Sequence, residues 1–284
     1  MEKNSIRHAV RLRLSRSLLT LVFLALSFAM LLPFIWMVST AFKPDDQVLT
    51  VIPQLIPKKF TIQAFVLAWT NVDFPHLYAN SLIIAVISTI ATLAVCSTAG
   101  FAFAKYQFRL KEICFVLILC TMMIPFQVTM IPLYLIVSKL HWQNTYQGVL
   151  FPQLASAFGV FLMRQFMETV PTELMEAARI DGASEFKIFR RIMLPLIKPV
   201  IATLGLFTFM WSWDSFLWPL IVIDSAAKRT VPLGIAMVTQ MAGQRVLYNQ
   251  LMAISIFGMV PVLIVFMLLQ RHFVQGVVMS GLKG

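Results

Sequence analysis

Charge is what this sequence has least of. Only 12% of its 284 residues are Asp, Glu, Lys or Arg, about half the roughly 25% usual for a soluble domain. The apolar share is 59% and the mean hydropathy is +0.83. So few charged groups cannot clothe a water-exposed surface, which excludes an ordinary soluble domain and points to a polytopic membrane protein. Cysteine is also scarce. Cys96, Cys114 and Cys120 lie in apolar runs without metal-ligand spacing, so they read as small buried hydrophobes. The four histidines (His8, His76, His141 and His272) are scattered, and no metal or catalytic cluster can be assembled around them. The phosphate-cradling pattern GxxxxGK[ST] is missing, so the chain itself is not expected to bind or hydrolyse ATP, and no cofactor is expected in it. The net charge of +11 falls in short loops between apolar runs. That placement suits membrane orientation and argues against nucleic-acid binding.

What is present in quantity is long apolar sequence. Six runs, 18–38, 81–104, 113–136, 146–163, 200–223 and 251–270, match the roughly 20 residues needed to cross a bilayer. The expected fold class is an all-α membrane protein with six transmembrane helices. It would comprise a basic N-terminus (1–17), a six-span domain (18–270) and a C-terminal tail (271–284). The first run is too long for a cleavable signal peptide, and Trp36 and Phe42 stand where small residues would precede a cut. With the N-terminus inside, sixteen of the 23 Lys and Arg residues fall on the cytoplasmic side and seven outside. The positive-inside rule then makes both termini cytoplasmic. Pro33, Pro125, Pro132, Pro152, Pro219 and Pro261 sit in or beside the spans as shaping bends or gate hinges. The outer segments 41–80 and 224–250 are long enough to receive a partner or to pack over the bundle, and 231–240 reads as a re-entrant or surface helix.

Between the fourth and fifth runs lies a polar island, Glu176 to Pro195, reading EAARIDGASEFKIFRRIMLP. Its punctuation predicts helix, turn, helix over 171–199. Pro171 suits a first helical position with Glu173 in the first turn. Leu174, Ala177 and Ala178 are expected on one face. Gly182, after Asp181, suits a left-handed C-cap, and Ser184 suits the next N-cap. Phe186, Phe189 and Met193 would form an apolar stripe that Pro195 ends. Ala177 and Ala178 leave room for close backbone approach, and Glu176 and Asp181 offer charge. The segment is therefore either a docking site for a partner or an amphipathic helix at the lipid surface.

The run Glu176-Ala177-Ala178, Asp181-Gly182-Ala183, Ile192 and Leu194-Pro195 resembles the EAA loop of ABC importer permeases. Asn80-Ser81-Leu82, Phe103-Ala104-Lys105-Tyr106, Met123-Ile124-Pro125, Ile131-Pro132-Leu133, Trp213 to Leu220 and Gly276 to Gly284 extend the likeness to carbohydrate-type permeases. The resemblance is strongest to the smaller six-span subunit of maltose-type permeases. It implies a coupling helix that sits in a cleft of a cytoplasmic ATPase, with Glu176, Ala177, Ala178, Asp181, Gly182 and Ala183 at the contact. It further implies a second permease subunit as heterodimer partner, two ATPase subunits that bind the ATP and Mg, an extracytoplasmic solute-binding protein and residence in a bacterial cytoplasmic membrane. The tail to Gly284 would reach between the ATPase subunits. The chain departs from the family at Asp214-Ser215, where Asn followed by an acidic residue is more usual.

Asp214 is the one carboxylate inside any predicted span. A charge at mid-membrane costs about 2.5–3.5 kcal/mol on insertion scales, so it must face the bundle, a partner or water. On an unbroken helix Trp211, Asp214, Ser215 and Trp218 share one face, with Trp213 pointing elsewhere. That face offers stacking surface and a hydrogen-bond acceptor to a hydroxyl-rich solute, or it is an interfacial aromatic belt. Three functions follow in order: a permease subunit of an ATP-driven importer of a sugar-like solute, an ion- or proton-coupled carrier using Asp214, and, last, a membrane enzyme.

Overall fold

Long apolar runs fold as helix throughout, and no strand occurs among the described residues. The computed structural model describes residues 2–50, 52–71, 73–241 and 247–281. In chain order the helices are α1 (Glu2–Ala41), α2 (Asp45–Val48), α3 (Gln63–Asn71), α4 (Phe74–Lys105), α5 (Lys111–Thr121), α6 (Phe126–Lys139), α7 (Tyr146–Leu150) and α8 (Ala157–Glu168). The island supplies α9 (Glu173–Ile180), α10 (Glu185–Ile188) and α11 (Leu194–Leu196). Then come α12 (Lys198–Trp213), α13 (Leu217–Val222), α14 (Val231–Met241) and α15 (Tyr248–Gly281).

Three helical segments are long and apolar enough to cross a membrane unaided: Arg16–Ala41, Phe74–Lys105 and Tyr248–Gln270. The other expected spans are broken. The run 113–136 bends by 100° between α5 and α6, and 146–163 by 43° between Tyr146–Gln153 and α8. The count is six only if each bent pair is one crossing. Pro125 and Pro152 mark the first two breaks: each lacks the donor that a continuous helix needs. The expected fifth span, 200–223, is interrupted at 214–216. Here the cause lies downstream, because Pro219 has no N–H for the carbonyl of Ser215 and its ring crowds that carbonyl. At the other end, α12 begins at Lys198 with Pro199 in its first turn, and Glu185–Leu196 turns away from it by 81°. Lys187, Arg190 and Arg191 are exposed on that turned segment.

The chain divides into two compact units. The first comprises Met1–Asn71 and Ala242–Phe257. Its helix α1 continues from the basic N-terminus into the span without a break, and Leu18 to Trp36 are exposed along it, as lipid-facing side chains are. A hook follows. Lys43 is buried, donates to Gln54 O at 2.6 Å and lies 4.5 Å from the Trp36 ring. Asn249, at the start of α15, donates to Lys43 O at 3.0 Å and to Asp45 Oδ1 at 2.6 Å. Phe65 packs on Phe42 and Phe257 with ring centroids 4.9 and 5.7 Å apart.

The second unit comprises Val72–Met241 and Gly258–Gly284. Its main core is built where α4, α8, α12 and the island meet, on Cys96, Met163, Met167, Met175, Ile188, Met193 and Leu204. Small residues let α4 and α8 close up. A side-chain carbon at Gly100 would stand 2.5 Å from Met163 Cβ, and one at Gly159 would stand 2.6 Å from Cys96 Sγ. A second core is built on Ile84, Val149, Trp218, Val222 and Leu233. Polar side chains staple this unit. Asn80 donates to Ala227 O and Arg229 O at 2.8 and 2.9 Å, and Tyr146 Oη donates to Asn80 Oδ1 at 2.7 Å. Ser81 Oγ accepts from Val231 N, which fixes the start of the expected helix at 231–240.

One further expectation needs correction. Cys96 is buried, but Cys114 and Cys120 are exposed on α5, where lipid replaces a core. The sixth apolar span ends at Gln270 as expected, while the helix that carries it, α15, runs on to Gly281; residues 282–284, the last of the expected tail, lie outside the described residues. Arg245, counted among the outer cations, also lies outside them. The α4–α8 contact yields a direct test. Gly100→Val should destabilise the purified chain by about 2 kcal/mol or more, because its new carbon meets a Cβ and backbone and not a flexible tip. Thermal unfolding followed by fluorescence-detected gel filtration measures it, and an unchanged midpoint would show that the two helices can separate freely.

Candidate functional site

Two places in the second unit gather the polar groups that an apolar chain cannot scatter. The first is the island. Its local sequence sets its shape. Asp181 caps α9, and Gly182 takes the left-handed conformation at φ 76° that reverses the chain. Ser184 caps α10, its side chain accepting from Lys187 N. These features follow the sequence expectation. Pro171 does not: Thr172 is the N-cap residue, and α9 starts at Glu173.

The expected faces also shift. Met175 is fully buried, and Ala178 and Ala183 pack against the core. Leu174 and Ala177 point outward, so the three-residue face of Leu174, Ala177 and Ala178 is split. Glu176, Asp181 and Gly182 are exposed as well. Phe186 is 70% exposed and does not join Phe189 and Met193, while Ile188 is buried in its place. The reason is a π-turn over Phe189–Met193, which inserts an extra residue and changes the phase of the inward side chains. Helix continues past Pro195 to Leu196 before the bend. The result is an apolar outward face, Leu174, Ala177, Ile180 and Phe186, in which Ile180 is 87% exposed.

A polar tie holds α9 to α10 and to the end of α4. Arg179 Nε donates to Glu185 Oε1 at 2.7 Å and its Nη2 to Oε2 at 3.2 Å. Tyr106 Oη donates to the same carboxylate. The Arg179 bonds, then that of Tyr106, hold the Glu185 carboxyl below its usual range. Sequence reasoning missed this tie because Tyr106 is 79 residues from Glu185 and Arg179 meets it only across the turn at Gly182.

The second place is where the broken helices meet. The ends left by the breaks after Thr121, Gln153 and Trp213 all line one cavity of about 690 Å³. Its wall includes Ser88 and Thr92 from α4, Thr208, Trp211 and Ser212 from α12, and Phe126 and Gln153. The hydroxyls of Ser88, Thr208 and Ser212 are buried there without a protein partner. Trp211 is 55% exposed and stacks on Phe207 at 5.7 Å.

The four expected pathway residues are not one helical face, because α12 stops at Trp213 and Asp214 caps it. Trp211 lines the larger cavity. Asp214 and Ser215 line a neighbouring one of about 420 Å³, whose walls share Phe126 and Gln153 with the first. Trp218 also borders it but is buried, its Nε1 donating to Gly148 O at 3.1 Å. Trp213 does point elsewhere: it is buried, donates to Gly258 O at 2.9 Å and stacks on Phe209. Ser88, Thr92, Thr208 and Ser212 were missed. Their signal is visible in part: each pair is spaced i, i+4, which puts its two hydroxyls on one stripe of the helix.

Comparison with known proteins adds identity to this geometry. The model of the family described as binding-protein-dependent transport system inner membrane component matches residues 96–279. The chain is 35% identical over 283 residues to the arabinooligosaccharides transport system permease protein AraQ of Bacillus subtilis (strain 168), covering 98% of this chain and 100% of AraQ. It is 35% identical over 242 residues to the sn-glycerol-3-phosphate transport system permease protein UgpE of Yersinia enterocolitica serotype O:8 / biotype 1B, covering 83% and 86%. Among solved structures, a chain of a bacterial ABC transporter involved in the import of the acidic polysaccharide alginate superposes with a TM-score of 0.82 at 22% identity, over 92% of this chain and 97% of that one. A chain from the alginate transporter in complex with an alginate pentasaccharide-bound periplasmic protein gives 0.62 at 16%, over 90% and 94%.

The polar tie predicts a pH dependence. Glu185 has a depressed carboxyl, so its contribution is present above the ordinary carboxylate range and is lost as pH falls through the lower folded value. Hydrogen-exchange protection of 185–193 should fall on acidification below about pH 4. Glu185→Gln should show weaker protection that no longer varies across that window, whereas the same acid response in the variant would remove Glu185 as its source.

Proposed function

The chain belongs to the family of binding-protein-dependent transport system inner membrane components, and from that premise we propose that the island is its ATPase-coupling surface. The protein is a membrane-embedded permease subunit of a carbohydrate-type ABC importer. In the finer reading, six crossings form half of a translocation pathway and both termini face the cytoplasm. The island, 171–199, lies on that side as the EAA loop. A second permease subunit completes the pathway, two separate ATPase subunits bind ATP and Mg and hydrolyse the nucleotide, and an external solute-binding protein delivers the solute.

The single observation that carries the coupling reading is the outward apolar face on a rigid knuckle. Leu174, Ala177, Ile180 and Phe186 are turned away from the core while Met175, Ile188 and Met193 anchor the same segment into it. Exposed apolar groups rimmed by charge fit a protein partner better than water. Glu176 and Asp181 supply the charged rim. A push delivered to this face passes through the buried anchors to α8 and α12, and α12 ends at the cavity. Exchange of the outer openings would follow from such rigid displacement. Solute delivery by a binding protein is supported by the periplasmic protein that accompanies the alginate transporter in its solved complex.

Surface and turn substitutions test this reading together. Ile180→Glu replaces an exposed side chain, so folding should change by less than about 0.5 kcal/mol. Co-purification of the ATPase subunits and ATP-driven uptake should nevertheless fall at least tenfold. Gly182→Pro should abolish uptake with membrane insertion intact, because proline's φ near −65° cannot replace +76°. Glu176→Lys should weaken docking by reversing the rim charge. Normal ATP-driven uptake in all three would remove the coupling role from the island.

A further inference from the structure

Hydroxyls on membrane helices ordinarily satisfy themselves by donating to the carbonyl one turn back. This chain does so repeatedly: Thr89 donates to Ala85 O at 2.7 Å, Thr98 to Ala94 O at 2.8 Å and Thr203 to Pro199 O at 2.9 Å. Ser88 stands next to Thr89 on α4, and Thr208 and Ser212 stand further along the helix that carries Thr203. None of these three makes a hydrogen bond to any described residue, although each is more than nine-tenths buried. All three residues line the same cavity. Leaving a buried hydroxyl without a partner is costly, and three converging on one space mark a place built for a ligand with hydroxyls of its own.

The rest of the wall narrows the ligand's chemistry. Trp211 presents an indole face beside Thr208 and Ser212, suited to the C–H face of a sugar ring. Gln153 can both donate and accept. Among the described residues no Lys, Arg or His lines the space. The neighbouring cavity that shares Phe126 and Gln153 holds the Asp214 carboxylate. A phosphate or uronate entering here would lose hydration, find no cation and meet a carboxylate close by. The volume lies within the range of ordinary ligand pockets, about 300–1,000 Å³.

We infer that this subunit itself binds the solute during passage, at Ser88, Thr208, Ser212 and Trp211, and that the site selects a neutral saccharide against anionic ones. The inference deepens the permease reading and rests on it. It separates this chain from a relative named for sn-glycerol-3-phosphate and from a structural neighbour that imports an acidic polysaccharide.

The test uses the assembled complex in nanodiscs without binding protein. Lactose, arabinotriose, glycerol 3-phosphate and a triuronate are titrated, and the emission that disappears in Trp211→Phe is followed. A neutral saccharide should change that emission, and the two anions should not at tenfold higher concentration. The combined variant Ser88→Ala, Thr208→Val, Ser212→Ala should raise the half-saturating concentration at least tenfold, whereas Ser212→Thr, which keeps its hydroxyl, should leave it unchanged. An equal response to glycerol 3-phosphate or the triuronate, no response to either neutral saccharide, or an unshifted titration in the combined variant would overturn the inference. So would loss of the second permease subunit from the combined variant, because the hydroxyls would then belong to a subunit contact. Failure of ATPase subunits to co-purify with the unsubstituted chain would strike the permease reading and not the site.

Discussion

Lipid offers no hydrogen bonds, and the rest of this structure answers to that. A chain crossing a bilayer must pair its backbone within itself, so a helix may be interrupted only where protein or a wetted space receives the freed groups. The breaks beside Pro125, Pro152 and Pro219 obey this limit together. The ends they create gather at one cavity in the second unit instead of facing lipid separately. The straight helices, α4 above all, serve as the frame on which the interrupted ones close.

The other concentration of polarity is at the island, where the physics is reversed. Water and protein are both available there, so apolar groups facing outward need explanation, and polar ones do not. Met175, Ile188 and Met193 reach inward to the core that α4, α8 and α12 share. Arg179, Glu185 and Tyr106 tie α9, α10 and the end of α4 at the surface. An anchored segment with a bare apolar face is mechanically useful only if something presses on it, and its anchoring gives that pressure a route to α12.

Much of this was legible in the residues. Length and hydropathy located the apolar runs, and Gly182 and Ser184 disclosed the turn and cap because each position demands a particular side chain. The EAA pattern identified the family before any coordinate did. What stayed hidden was phase and continuity. Periodicity assumed that 200–223 was one helix, so Trp211, Asp214, Ser215 and Trp218 were placed on a face that the break at 214–216 dissolves. Pro219 carried the warning six residues after the last helical residue of α12. The π-turn at Phe189–Met193 left no composition signal, and it exchanged Phe186 for Ile188 in the core. The pairs Ser88/Thr92 and Thr208/Ser212 were readable as i, i+4 stripes but looked like ordinary small residues until their common cavity was seen.

That π-turn makes the knuckle unusually sensitive to chain length. Each residue of an α-helix advances the azimuth by roughly 100°, from 3.6 residues per turn. Removing one residue between Phe189 and Met193 would relax the turn to regular helix without deleting any anchor or contact residue elsewhere. It would also rotate everything before it, so that Ile180 and Phe186 would swing round while α12 stayed in place. Families that share this segment can therefore exchange side chains along it far more freely than they can gain or lose a single position.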